Sequence, residues 1–201
     1  MFNEVLVGIQ NQTDGNVIKA RGGKQGDQLV SGLHGRYYEQ TYRGNVFSVQ
    51  TQGTGVTTTA ALATTFTGLA IGNPAASGVN LVLNKFTCAQ FAVGAAATIG
   101  IMGGAGSITA SLTPQSRVIG GGQVSKATAT AGQTISTPLL IATFASVGSL
   151  ATTGYGLEPG VMVDFEGSII VPPGSFIASY TAIVTTSALQ FSFTWEEVPV
   201  A

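Results

Sequence analysis

The stretch "LQFSFTWEEV", residues 189–198, alternates large apolar side chains with polar ones. Its apolar positions, two residues apart, are Leu189, Phe191, Phe193 and Trp195. Because a strand places residues i and i+2 on one face, the pattern predicts a half-buried β-strand with these four side chains in a core. Glu196 and Glu197 are adjacent and so point to opposite faces, and they are interpreted as the polar end of the strand.

Strand pairs also precede this segment. In "GSIIVPPGSFIASYTAIV", residues 167–184, apolar residues alternate up to a Pro-Pro-Gly turn, and every second residue after it is predicted to share one face. That face comprises Phe176, Ala178, Tyr180 and Ala182. In "GLAIGNPAASGVNLVLNKF", residues 68–86, Asn73-Pro74 and Ser77-Gly78 predict a turn between two strands.

The texture of the chain changes near residue 46. From there apolar and small polar residues alternate, and turn residues recur every eight to twelve positions, which is typical of an all-β antiparallel sandwich. No helix of three turns and no fixed repeat is evident. Residues 1–45 are polar and Gly-rich around "RGGKQGDQ", so they are interpreted as an extended N-terminal arm that orders on a partner.

Charged residues make up only 8% of the 201 residues, against roughly 25% in a typical soluble domain. A net charge of -1 gives little mutual repulsion, so we expect partners to cover much of the surface. The few charges are sorted: residues 44–126 hold only cations, and residues 127–201 hold only acids. This opposition could register neighbouring copies, whereas the lack of a basic cluster argues against nucleic acid.

Residues 86–105 are uncharged, and Gly100 and Gly104 stand at the GxxxG spacing of packed membrane helices. The segment nevertheless contains Gln90 and divides into two strand-like pieces, "FTCAQFAV" and "ATIGIM". We therefore predict two buried strands and no membrane partner. Cys88, the single cysteine, is expected to pack as a small apolar residue, and the N-terminus does not have the pattern of a secretory signal.

The segment "LHGRYYEQTYRGNVF", residues 33–47, holds the only histidine and three of the five tyrosines. His34 could act as a general base oriented by Glu39 or Asp27, but no G-x-S-x-G nucleophile motif accompanies it. Tyrosine and arginine bury well at protein contacts, so the segment is predicted to be an interface. Its predicted contact residues are His34, Arg36, Tyr37, Tyr38, Tyr42 and Arg43.

Other candidates for chemistry are weaker. Asp164 and Glu166 are two apart and would share a strand face, as a glycosidase pair does, although a solvated or lysine-paired surface pair is the alternative. One histidine and one cysteine exclude the common zinc signatures, and no calcium-loop pattern occurs. The Gly-rich stretches 102–107 and 119–126 lack the spacing of a phosphate loop and are interpreted as tight turns. We expect no enzyme activity and no cofactor.

Four stretches together resemble a group of tailed-bacteriophage virion proteins associated with head structural genes. They are "GDQLVSGLHGRYYEQTYRGNVFS", "GLAIGNPAASGVNLVLNK", "IIVPPGSFIASY" and "FSFTWEEVPV". The resemblance spans about residue 24 to the end and is carried by packing and turn patterns. It implies a capsid decoration or cement protein, commonly a homotrimer, located on the capsid surface of the virion with the major capsid protein as its partner.

The resulting hypothesis is an all-β, jelly-roll-like antiparallel β-sandwich over residues 46–201, with the arm of residues 1–45 bound to the shell or to a neighbouring subunit. Such a protein would cement the capsid by adhesion rather than by chemistry. Two alternatives stay open: a receptor-binding or fibre-tip protein, and a head-tail connector or tail protein.

Overall fold

The structure, a computed structural model, describes residues 35–51, 56, 58, 62, 64–92, 96–147, 160–182 and 188–200. The chain divides between Glu39 and Gln40 into two units. Of the first unit, residues 35–39 are described. Most of the predicted arm, including His34, lies outside the described residues, so its extended conformation stays a prediction.

The described residues form one short helix and ten strands. The helix is α1 (Tyr38–Tyr42), and the strands are β1 (Val46–Gln50), β2 (Thr65–Asn73), β3 (Val79–Ala92), β4 (Ala97–Ala105), β5 (Gln115–Ser116), β6 (Thr128–Thr134), β7 (Leu139–Val147), β8 (Val161–Val171), β9 (Ser175–Thr181) and β10 (Ala188–Pro199). The predicted turn at residues 74–78 joins β2 to β3.

The strands make two five-stranded sheets. Sheet one has the order β5-β1-β10-β3-β8, and sheet two has the order β6-β2-β9-β4-β7. All pairings within the sheets are antiparallel, and one large cluster of buried side chains draws on both sheets. The prediction of an all-β antiparallel sandwich is therefore confirmed. Every connection except β6 to β7 crosses from one sheet to the other.

Strand β10 lies at the centre of sheet one, between β1 and β3. The four predicted core side chains of "LQFSFTWEEV" are all fully buried. Phe193 packs on Phe86 of β3, with ring centroids 5.1 Å apart, and Trp195 packs on Phe47 of β1 at 6.4 Å. Alternation along β10 thus places its aromatic face in the space between the sheets.

Strand β9 is buried on both faces. Phe176, Ala178 and Tyr180 share one face, as predicted, but they belong to a second cluster, covered by Ile108 and Ile135. Their neighbour Ile177 joins the large cluster between the sheets. Ile108 and Ile135, which cover this outer face, come from parts of the chain that are distant in sequence from β9.

Within this segment, residues 86–92 form the last part of β3 and residues 97–105 form all of β4, which confirms the prediction of two strands. Within the described part of the chain, no helix combines the length and hydropathy of a membrane span. Cys88 is buried in β3 as a free thiol.

Candidate interaction surfaces

The predicted contact segment is partly helical. Tyr38 and Tyr42 begin and end α1, and both side chains are exposed, as are those of Arg36 and Arg43, whereas Tyr37 is half-buried. Gly44, two residues beyond the end of α1, has a φ of 78°, in the left-handed region that commonly follows a helix. Four of the six predicted contact residues are thus exposed, Tyr37 is half-buried, and His34 lies outside the described residues.

A second exposed feature is the loop between β5 and β6. Ile119 and Val124 are 93% and 84% exposed, so nearly all of the surface of each residue is accessible to solvent. They stand on either side of a three-glycine turn, in which the N–H of Gly121 donates to the carbonyl of Val118 at 2.9 Å. We call the exposed side chains of this loop, Arg117, Ile119, Val124 and Lys126, the loop surface.

The loop surface lies beside the segment that follows α1. Backbone of Arg117 donates to the carbonyl of Val46 at 2.9 Å, and a Cβ built on Gly44 would stand 2.6 Å from Cγ of Gln123. Tyr42, 73% exposed, is two residues from that close approach. Sequence reasoning interpreted this loop only as a tight turn, although its pattern of cation, aliphatic, glycines, aliphatic and cation was visible.

The loop is fastened at its base by Glu197. This carboxylate is buried and accepts hydrogen bonds from the hydroxyl of Ser125, the backbone N–H groups of Lys126 and Ala127, and the indole N–H of Trp195. Glu197 thus lies near the end of β10, as predicted, but its side chain is buried rather than in contact with solvent. A buried carboxylate is stable only when donors surround it, and residues 125–127 supply them.

A third feature lies at the opposite edge of the sandwich. Between the start of β7 and the end of β8 is a groove of about 190 Å³ whose walls include Ile141, Ile169, Ile170 and Phe176. Leu139 and Leu140, the first residues of β7, are exposed next to Ile141. A Cβ on Gly103 would stand 2.7 Å from the carbonyl oxygen of Phe176, so a larger residue there would disturb the floor. We call this feature the edge groove.

The acidic pair on β8 is a surface pair. Asp164 and Glu166 are both exposed, and Lys85 lies 4.0 Å from Asp164, as the lysine-paired alternative predicted. The backbone N–H of Glu166 donates to Oδ1 of Asp164 at 3.0 Å, and Glu166 has a φ of 52°. Leu83 pairs with Ile169 and Lys85 pairs with Asp164, so the four residues 165–168 of β8 lie opposite the single residue Asn84. Strand β8 therefore bulges at this point.

Burial controls the ionisation of two other groups. It raises the pKa of the Cys88 thiol to about 12, so the thiol is protonated at neutral pH and is a poor nucleophile. Partial burial also raises the pKa of Glu196 above its usual value. Among the described residues, no three histidine, cysteine or acidic side chains are grouped closely enough to hold a metal ion.

A polar groove of about 230 Å³ lies on sheet one beside β5. Its walls are Ser48, Val49, Gln50, Thr113, Gln115, Arg117 and Ser192. Hydroxyl, amide and guanidinium groups of this kind offer hydrogen bonds to a polyhydroxylated or anionic ligand.

Comparisons with known proteins give no identification. No family model matches the chain, and neither the curated proteins nor the solved structures contain a match. What the fold and surfaces define is a two-sheet antiparallel β-sandwich with exposed aliphatic surfaces at two of its edges.

Proposed function

We propose that this chain is a structural protein of a bacteriophage particle, which decorates and stabilises the capsid by self-association and by binding to the shell. The observation that carries the adhesive role is the presence of two exposed aliphatic surfaces on a domain that has few charges. Exposed aliphatic side chains gathered in one place mark contact sites on soluble proteins. The assignment to a virion rests on the sequence resemblance.

The strand order supports a finer description of the fold. Without the short edge strands β5 and β6, the sheets read β1-β10-β3-β8 and β2-β9-β4-β7, the order in which a jelly roll winds eight strands into two sheets. We infer a jelly roll on this basis. Jelly rolls occur in viral capsid proteins and in lectins, so the fold agrees with the proposal without deciding between these functions.

The stabilising effect would follow from mass action. A protein that binds the assembled lattice and not the loosened one shifts the equilibrium toward the intact shell. When several copies are linked, their overall affinity for the shell is much higher than that of one weak contact, because each further contact forms at a high effective concentration. Self-association and shell binding would therefore reinforce each other.

The anchors of shell binding would be the tyrosines and arginines at and near α1, together with His34. Tyr38 and Arg36 are exposed, so replacing either by alanine should weaken binding to particles that lack this protein while leaving the sandwich folded. Co-sedimentation with such particles measures binding, and circular dichroism measures folding. Met162→Ala, at an exposed position of β8, is the matched control. Unchanged binding by Tyr38→Ala and Arg36→Ala, or loss of folding in both, would refute the anchor assignment.

The polar groove favours a second candidate function, that of a receptor-binding protein. Gln50, Gln115 and Arg117 line the groove and would contact a host glycan. This candidate predicts that the isolated protein binds host cells and that Gln115→Ala weakens this binding. A capsid-decorating protein predicts no binding to cells.

A further inference from the structure

We propose that copies of this chain associate head to tail, with the loop surface of one copy docked in the edge groove of the next. The proposal rests on the self-association in the proposed function and names the two surfaces that would carry it. The partner is a second copy of the same chain.

The two surfaces lie on opposite edges of sheet one. The loop surface follows β5 directly and is bonded to β1 through Arg117 and Val46, whereas Ile170 and Val171 of the groove belong to β8. With β5 and β8 at the two ends of the sheet, four strand spacings of roughly 4.8 Å, or about 19 Å, separate them. The two surfaces of one copy therefore cannot meet, but those of two copies can.

The shapes are compatible. The loop surface ends in two protruding aliphatic side chains, and the groove is walled by aliphatic and aromatic ones. An apolar cavity of roughly 150 Å³ is large enough to bind benzene, so a groove of about 190 Å³ has room for an isoleucine or valine side chain. Insertion of Ile119 or Val124 would remove apolar area from water on both sides.

The charges are complementary as well. Arg117 and Lys126 stand two residues outside Ile119 and Val124 and are exposed. On the groove side Asp164 and Glu166 are exposed on β8, with Lys85 near Asp164. The register places Asp164 opposite Lys85 and Ile170 opposite Val82, so about 10 Å of strand separates the acids from the groove. Opposite charges beside matching apolar surfaces favour a second copy of this chain over an unrelated partner.

Of the four edge strands of the two sheets, β5, β6 and β8 each have a feature that hinders pairing with another chain, and β7 differs from them. Strand β5 has only two residues, and the outer side of β6 is covered where Ser111 and Leu112 donate to the carbonyl of Ala129. Strand β8 carries the acidic pair and a bulge. Strand β7 has nine residues and no charge, and it begins with exposed Leu139 and Leu140. Uncharged edges of this kind are usually covered by another chain or element.

A contact between two different surfaces has a consequence for symmetry. Such heterologous contacts repeat from copy to copy and close into a ring when the rotation permits it. An isologous dimer, by contrast, uses one surface twice. The two arrangements can be separated by mixing variants that each lack one surface.

The test uses the purified full-length chain in sedimentation velocity. The loop variant is Ile119→Asp with Val124→Asp, and the groove variant is Ile141→Asp with Ile170→Asp, two partly exposed residues that line the groove. Each should raise the dissociation constant for self-association at least tenfold. Met162→Asp, on β8 but outside the groove, should leave association unchanged. Thermal unfolding checks that each variant is folded; for a groove variant that fails to fold, Ile170→Ser replaces it.

The deciding sample is an equimolar mixture of the loop variant and the groove variant. The loop variant retains an intact groove and the groove variant an intact loop, so the mixture should form one-to-one dimers that neither variant forms alone. A mixture that stays monomeric would overturn the proposal. A loop variant that associates like the unaltered chain would also overturn it. So would an unaltered chain that is monomeric at about 0.1 mM, a concentration at which even a weak interface of standard area gives a detectable fraction of oligomer.

These outcomes are independent of the particle. Head-to-tail association of purified protein that never binds shells would refute the proposed capsid role and leave the contact intact. Binding to shells by a chain that does not self-associate would do the reverse.

Discussion

Both carboxylate oxygens of Glu197 accept a hydrogen bond from the backbone N–H of Lys126, at 2.9 and 3.1 Å. The two residues are 71 positions apart in the chain. This contact fixes the base of the loop on β10, and the loop carries the most exposed aliphatic side chain described, Ile119. A rigid base lets such a side chain be presented to a partner with less loss of conformational freedom on binding.

Glu197→Gln should destabilise the sandwich. The hydrogen-bond partners of this carboxylate all donate, so the amide NH₂ of glutamine would face a donor, and hydrogen bonds to a charged group would be lost. We expect a loss of about 1.5–3 kcal/mol in the free energy of unfolding, measured by urea denaturation. A variant as stable as the unaltered chain would show that the carboxylate does not hold the loop.

Glu196→Gln, one residue away, should have the opposite effect. Burial raises the pKa of Glu196, which means that folding disfavours its charged form. As pH rises through the unfolded-state pKa, the unfolded chain ionises first, so the folded chain loses stability until the folded-state pKa is passed. The variant should be more stable than the unaltered chain at neutral pH and equal to it well below pH 4.5. Equal stability at both pH values would contradict this.

Cys88 gives a pH dependence at the alkaline end. Its pKa rises from 9.0 to about 12 on folding, so between these values the unfolded chain is ionised and the folded chain is not. The free energy of unfolding should fall in that window by about 1.4 kcal/mol per pH unit relative to a Cys88→Ala variant. Urea denaturation of both proteins across the window isolates the contribution of the thiol. Parallel curves would show that the thiol ionises equally in both states.

Gly100→Ala should disrupt the pairing of β4 with β7. A Cβ at this position would stand 2.3 Å from the backbone oxygen of Ala142, and backbone cannot yield as a flexible side chain can. We expect a cost of about 2 kcal/mol or more. The control is Gly122→Ala, where a Cβ meets nothing within 4 Å and a gain of about 0.4–1 kcal/mol follows from a stiffer unfolded chain. Similar effects of the two substitutions would contradict the close approach.

The sequence was enough to predict those features of the fold, such as strands and turns, that depend on residues close together in the chain. The alternation around Phe191 and Phe193 was enough to predict a strand and its buried face, and Asn73-Pro74 was enough to predict a turn. Glu196 and Glu197 look alike in sequence, yet only Glu197 is buried against residues 125–127. Likewise, the cover that Ile108 and Ile135 place over Phe176 depends on the tertiary path of the chain, which no local pattern records.

The candidate surfaces divide in the same way. Tyr38 and Tyr42 are exposed, and the role of their segment as a contact stays a prediction. The edge groove could not be predicted, because Ile141 and Ile170 come together only through the packing of β7 beside β8. Apolar residues in a strand are interpreted as core residues from the sequence alone, because the pattern does not show which strands lie at the edge of a sheet.

The most direct test of the account is cryo-electron microscopy of purified phage particles that carry this chain. Capsid decoration predicts density for many copies across the icosahedral shell, in symmetric clusters that contact each other, with residues 1–45 lying on the major capsid protein. A few copies at a single vertex, or at the tip of a fibre, would contradict capsid decoration and would indicate a connector or a receptor-binding protein instead.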